Sequence, residues 1–320
     1  MAEFNLEKYI SQITRKLKND IKNEAILIAV SGGVDSSVSA ALLIKAGLKV
    51  KLLFINTGFL RDNENNEVLD SLKRANFDVE YMDASRKFYS RLKNKTSSSE
   101  KREEFRKLYF EILSKYAVRD NITYIAQGTQ FHNGTAKIYH NCPTEKFLKE
   151  GFKNIEPVAG LKKDEIRLLA EKLGLPRSIA QRISFPGPGL LIRFGGKFSH
   201  EKLKLIREAT SIVEKFVIDN FSEFKNCYQI FPYLSLDNTV TFVDQNGNGS
   251  NGFVLLLRVI QVEKNGKELA YKPFFIKPKT QNKLVDEIMS KLPISRVCFD
   301  ATCKYGFGDK VMPGGTIEYA

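Results

Sequence analysis

Between an apolar run, Ile26 to Val30, and a helical pattern starting near Val34 lies Ser31-Gly32-Gly33-Val34-Asp35-Ser36-Ser37. The two glycines let backbone approach a ligand closely, and the serines add hydroxyl donors. At a strand-to-helix junction the first amides and the positive end of the helix dipole attract an anion. A polyphosphate fits such a cradle. There is no Gly-Lys-Ser/Thr ending, so this is not a Walker A loop, and the glycine spacing is not the dinucleotide-binding G-x-G-x-x-G. Asp35 is the informative residue. A carboxylate among phosphate donors repels the ligand unless a cation such as Mg²⁺ bridges the two, which makes Asp35 the expected metal contact. A plain Gly/Ser turn would leave that acid unexplained.

The surrounding pattern must place this bend. "EAILIAV", "KVKLLFIN", "DVEYMDA" and "NITYIAQG" read as short β-rich runs separated by helical patterns such as "SSVSAALLIKAG" and "NNEVLDSLKRAN". Alternating strands and helices predict a parallel, doubly wound α/β sheet with its ligand at the carboxyl ends of the strands. "SEKREEFRKLYFEILSKYAVRD" reads as a long amphipathic helix, and "KKDEIRLLAEKLGLP" as a shorter one stopped by Gly174 and Pro176. "FPGPGLLIRFGG" carries two prolines and four glycines and cannot continue a helix. The expected border therefore lies there, giving a first domain over 1–195 and a smaller α+β domain over 196–320. In the latter, Ser199 caps a helix, "YQIFPYLSL", "TVTFVD" and "GFVLLLRVIQV" read as strands, and "TQNKLVDEIMSKLP" as another helix before strand "SRVCFDAT". Arg258, inside an apolar strand, needs either a carboxylate or a ligand phosphate as partner.

Hydrophobic residues are 42% and charged residues 27% of the 320, a composition that excludes wholesale disorder. The net charge of +13 and a pI of 9.4 suit polyphosphate substrates as well as nucleic acid. The lysines are dispersed, so nucleic acid is the weaker expectation. The first ten residues lack the basic flank and apolar core of a signal peptide, and no apolar run reaches membrane-spanning length, so the expected compartment is the cytoplasm, with no membrane partner. Cys142, Cys227, Cys298 and Cys303 are scattered and expected to be reduced; Cys298 and Cys303 alone complete no tetrahedral metal set.

"SGGVDSS" resembles the signature of the PP-loop ATP pyrophosphatases, which cleave ATP between its α and β phosphates and adenylate an oxygen of an acceptor. Further along, "LFINTGFLRDNENNEV", "YIAQGT", "NIEPVAGLKKDEIRLLAEKLGLP", "FPGPGLLIR" and "PGGTIEYA" occur in the order found in the ATP-pyrophosphatase and dimerisation part of the GMP synthetases, over nearly the whole chain. No counterpart of that family's glutamine amidotransferase part is present, so the chain is similar to the separate synthetase subunit of archaea. The resemblance implies a homodimer that receives ammonia from a glutamine amidotransferase subunit. It also implies a reaction in which O2 of XMP attacks the α phosphate of Mg·ATP, after which ammonia displaces AMP to give GMP.

Carried onto this sequence, the resemblance implies that Ser31, Gly32, Gly33, Val34, Asp35, Ser36 and Ser37 hold ATP and Mg²⁺. Phe54, Asn56 and Gly128 would border the nucleoside, Lys163 would meet the phosphates, and Lys137 would close a lid, with His140 nearby. Asp35, Lys137 and Lys163 are thus the expected catalytic set. Arg182, Phe185, Pro186, Gly187, Pro188, Gly189 and Arg193 would shape the XMP pocket, completed by Lys310, Thr316, Ile317 and Glu318. Lys163 could also be a plain surface lysine and the proline-glycine segment only a hinge. Departures from the family cluster on the acceptor side. Ile183 and Ser184 follow Arg182 where a histidine is usual, Asn56 stands where aspartate is common, the lid lacks its paired histidines, and Lys304 is far from Pro313, leaving Lys310 as its substitute. A divergent paralogue adenylating another acceptor, such as a tRNA base, or a non-catalytic nucleotide-binding subunit, are the alternatives.

Overall fold

The computed structural model describes residues 5–128, 147, 150–182, 185, 187–235, 240–243, 247–265 and 268–300. The chain divides into two units, one made of Met1–Arg91 and Arg102–Gly187, the other of Leu92–Lys101 and Pro188–Ala320. The division between Gly187 and Pro188 falls inside the proline-glycine segment.

In the first unit, five strands, β1 (Ala25–Ala29), β2 (Lys49–Asn56), β3 (Val79–Asp83), β4 (Tyr124–Ala126) and β5 (Lys153–Ile155), lie in the order β3-β2-β1-β4-β5. All the pairings are parallel. Ile26, Leu27 and Ile28 in the central strand are fully buried, as expected where helices cover both faces. Each such side chain contributes about 1.5–3 kcal/mol of transfer free energy. The covering helices include α1 (Leu6–Ile21), α2 (Val34–Lys45), α3 (Glu64–Arg74), α4 (Ser85–Leu92), α5 (Ser98–Arg119) and α6 (Lys163–Lys172). The helix α1 starts where the Asn5 side chain accepts from the Lys8 amide, at 2.9 Å, and buries Ile10, Leu17 and Ile21 in the core formed with β1 and α2. Because chain direction reverses its march across the sheet between β1 and β4, a crevice opens at their carboxyl ends.

The long helix α5 keeps the wet side expected of an amphipathic helix and buries a broad face opposite it. It buries Phe105, Leu108, Phe110, Ile112, Leu113, Tyr116 and Ala117 around most of its circumference. Its exposed positions from Glu103 to Val118 lie along one side, through Lys107 and Lys115. Aromatic side chains on several faces make this an embedded helix.

The second unit is α+β. The helix α7 (His200–Asp219) is capped by the Ser199 hydroxyl, which accepts from the Lys202 amide at 3.1 Å. It packs on β6 (Cys227–Leu234), while α8 (Pro278–Lys291) packs on β10 (Ile294–Asp300). The 17-residue β8 (Gly249–Asn265) is central. It pairs antiparallel with β6, with β7 (Val240–Val243) and with β9 (Glu268–Pro273), and parallel with β10. No strand is expected from the sequence at β9, since "KELAYKP" carries three charged residues and a proline.

Arg258 resolves in favour of the carboxylate. It is 1% exposed, and its Nη1 donates to Asp300 Oδ2 at 2.9 Å, across neighbouring strands in register. Lys101 is a second buried cation, donating through Nζ to the Phe194 carbonyl at 2.7 Å and lying 4.3 Å from that residue's ring centroid. Burial, with Lys202 nearby, pushes its ammonium pKa down from 10.5 to about 8.

Removing the Asp300 carboxylate (Asp300→Ala) should cost about 3–5 kcal/mol in urea unfolding, because Arg258 stays buried. The apolar pair Arg258→Met with Asp300→Leu should recover most of it. For Lys101 the unfolded chain holds the extra proton between about pH 8 and pH 10.5, so native stability rises with pH across that window. The difference in unfolding free energy between wild type and Lys101→Met should therefore shift toward wild type across it and stay flat below pH 7.

Candidate functional site

The bend that follows β1 sits at the crevice. After Val30, whose amide donates to the Leu53 carbonyl at 2.8 Å, Gly32 takes φ of +71° and Gly33 stands at the N-cap of α2. A glycine cap offers no side chain, so the leading amides of α2 face outward with the helix dipole behind them. The bend is fixed from within: Ser36 Oγ accepts from the Ser31 amide at 3.3 Å and donates to the Gly33 carbonyl at 3.2 Å. Ser31 Oγ accepts from the Gly33 amide at 3.3 Å. Val34 and Ser37 point into the core, and Ser37 Oγ has no hydrogen-bond partner among the described residues.

Asp35 lies in the first turn of α2, and Lys163, the first residue of α6, reaches it from 128 positions away. The Lys163 ammonium donates to both carboxylate oxygens, at 2.9 and 2.7 Å. Packing of α6 on α2 brings the pair together. The side chains are 28% and 27% exposed, so solvent and a ligand can reach both. Lys163 is therefore more than a solvated helix lysine: it offsets the one acid in an otherwise anion-attracting bend. A single carboxylate beside amide donors suits Mg²⁺, which commonly takes one or two carboxylates and completes its shell with water and substrate phosphates.

The turn after β4 closes the other side. A Cβ on Gly128 would stand 2.6 Å from the Ser36 amide nitrogen and 2.7 Å from the Asp35 carbonyl carbon. Its backbone thus packs directly on the start of α2, where a nucleoside contact was expected. Phe54 is 2% exposed, its side chain belonging to the core beside Tyr81. Asn56 accepts from the Gly58 amide at 2.9 Å and donates to Tyr81 Oη at 3.1 Å and Asp83 Oδ1 at 3.2 Å. An aspartate here would face Asp83 with like charge, so the amide at this position has a local reason.

Arg182 also reaches the bend. Its Nη1 donates to the Ser31 carbonyl at 3.3 Å and its Nη2 to Glu64, a residue only 3% exposed. A Cβ on Gly32 would lie 2.4 Å from that Nη1, so the glycine leaves room for the arginine. Glu64 also accepts from the Arg61 amide at 2.8 Å, and the Arg61 guanidinium stands 4.3 Å from the Phe185 ring centroid. Glu64 and Arg61 escape a residue-by-residue reading of the sequence, although Arg61-x-x-Glu64 at the start of a helix is a visible signal. In the second unit, Pro188 and Gly189 lie in a buried turn, and Arg193, 3% exposed, stacks 3.5 Å from the Phe231 ring centroid. Lys137, His140, Ile183, Ser184, Pro186, Lys304, Lys310, Pro313, Thr316, Ile317 and Glu318 lie outside the described residues.

Gly128→Ala should push the start of α2 from its place and cost about 1–3 kcal/mol in chemical denaturation. Gly249→Ala, where a Cβ meets nothing within 4 Å, is the control expected to change little.

The family described as the tRNA methyl transferase HUP domain matches residues 24–118. A subunit of the glutamine-hydrolyzing GMP synthase of Sulfurisphaera tokodaii is 37% identical over 302 residues, covering 90% of this chain and 79% of the relative. The corresponding subunit of Methanocaldococcus jannaschii is 34% identical, with 99% of both chains covered. The glutamine-hydrolyzing GMP synthase of Pyrobaculum aerophilum is 34% identical over 98% of this chain, which spans 61% of that relative. With end-to-end coverage at that identity, the chain belongs to the family formed by these separate subunits of the glutamine-hydrolyzing GMP synthases.

Proposed function

We propose that this chain is the ATP-pyrophosphatase subunit of a two-subunit GMP synthase. It binds ATP in the bend Ser31–Ser37, adenylates O2 of XMP with release of pyrophosphate, and lets ammonia displace AMP. The observation that carries this reading is the Asp35–Lys163 pair at the leading end of α2. The α2 amides and Lys163 hold the β and γ phosphates and take up the charge that develops on the leaving pyrophosphate. Asp35 would hold Mg²⁺, which, when bound, neutralises phosphate charge and polarises the α phosphorus. Catalysis then rests on alignment of the acceptor oxygen with the α phosphorus.

Arg182, Phe185, Pro186, Gly187, Pro188, Gly189 and Arg193 serve the acceptor nucleotide. Lys137 closes a lid, and Lys310, Thr316, Ile317 and Glu318 complete the purine pocket. Ammonia comes from a separate glutamine amidotransferase subunit, in keeping with relatives that are themselves named as subunits. The second unit supports a homodimer, for which its exposed Ile218, Phe221 and Phe275 offer apolar surface. Among the described residues no helix is long and apolar enough to cross a membrane. The reaction is assigned to the cytoplasm.

Purified protein supplied with ATP, Mg²⁺, XMP and ammonium should release AMP, pyrophosphate and GMP in equal amounts. Asp35→Ala should be silent, and Lys163→Met should lose on the order of 10²–10³ in kcat with its fold intact by circular dichroism. Binding of ATP without GMP formation would overturn the acceptor and leave the loop's role standing.

A further inference from the structure

The carboxylate of Glu64 is buried where the ATP loop alone gives it nothing to do. At 3% exposure an ionised side chain must be held by cations or strong donors. Glu64 has both. Oε1 accepts from Arg182 Nη2, while Oε2 accepts from the Arg61 amide at 2.8 Å and lies 3.7 Å from Arg61 Nε. Each guanidinium has a second engagement on a different segment, Arg182 with the Ser31 carbonyl at 3.3 Å and Arg61 with the Phe185 ring at 4.3 Å. A single carboxylate thereby ties three pieces of chain that the sequence keeps apart: the bend after β1, the start of α3, and the segment leading into the proline-glycine run.

We propose that Glu64 is a positioning residue, which holds Arg182 against the Ser31 carbonyl and so keeps the acceptor segment in register with the ATP loop. The function of Arg182 toward XMP rests on the function proposed above, whereas the tie to the loop does not. An arginine anchored at one nitrogen keeps its remaining N–H groups aimed, and removal of the anchor lets it swing into solvent. The loop loses its outer brace at the same time, because the Ser31 carbonyl then relies on water.

The test compares wild type, Glu64→Gln, Arg182→Ala and the double variant, with Glu64→Asp as the conservative form should Gln fail to fold. Amide hydrogen exchange of the peptide spanning residues 30–40 reads the brace without any substrate. Exchange should quicken about tenfold in Glu64→Gln and equally in Arg182→Ala, and the double variant should add nothing further. Unchanged exchange, or additive single effects, overturns the proposal whether or not the protein makes GMP. In the GMP-forming assay, KM for XMP should rise at least about tenfold in Glu64→Gln while KM for ATP moves less than about threefold, and Glu64→Asp should recover part of the loss. Equal changes in both KM values that merely track a fall in melting temperature assign Glu64 a purely structural part and also overturn it. A wild-type protein that forms no GMP counts against the function proposed above, and the exchange result still decides the role of Glu64.

Discussion

An uncapped helix start in a parallel sheet's crevice attracts anions and repels cations. Placing Asp35 in its first turn is favourable for the helix and unfavourable for a phosphate ligand. Lys163 reconciles the two by engaging both carboxylate oxygens. That ion pair requires α6 to lie on α2, and α2 to start where Gly128 admits it. The strand order β3-β2-β1-β4-β5 is what brings the ends of β1 and β4 together around it. Much of the first unit can be understood as the framework that brings this lysine and this carboxylate together at the leading end of α2.

Buried charge elsewhere is offset in two ways. Arg258 has Asp300 in register on the next strand, and Glu64 has two arginines. Lys101 instead has a backbone carbonyl and an aromatic face, and its lowered pKa reflects that weaker compensation. The contrast follows from desolvation, which a full opposite charge offsets and a dipole offsets only in part.

Most strands and helices of each unit were legible because their signals are local. Continuous apolar runs of a few residues, Gly47 and Asn76 at left-handed helix stops, and Ser199 before a helix all act within a few positions. How much of α5 is buried was less legible: its wet side is where the charged pattern puts it, but the extent of the buried face depends on what surrounds the helix. At the site, the serine-glycine bend is a local signal, whereas the Lys163–Asp35 ion pair joins residues 128 positions apart. The tie through Glu64 was not legible, because a carboxylate remote in sequence from the bend shows its purpose only when Arg182 arrives from 118 positions later. The packing of the Gly128 backbone on the start of α2 is likewise a contact that no local signal announces.

The second unit is wired through one strand. Four others, β6, β7, β9 and β10, all hydrogen-bond to β8. Such a hub-and-spoke sheet cannot be dismantled an edge at a time from its middle. A cut or a register slip in β8 unzips every pairing at once, while loss of β7 strips a single margin. Sequence drift should accordingly be tolerated on the spokes and resisted along the hub, and the unit should melt as one body with no half-assembled sheet persisting.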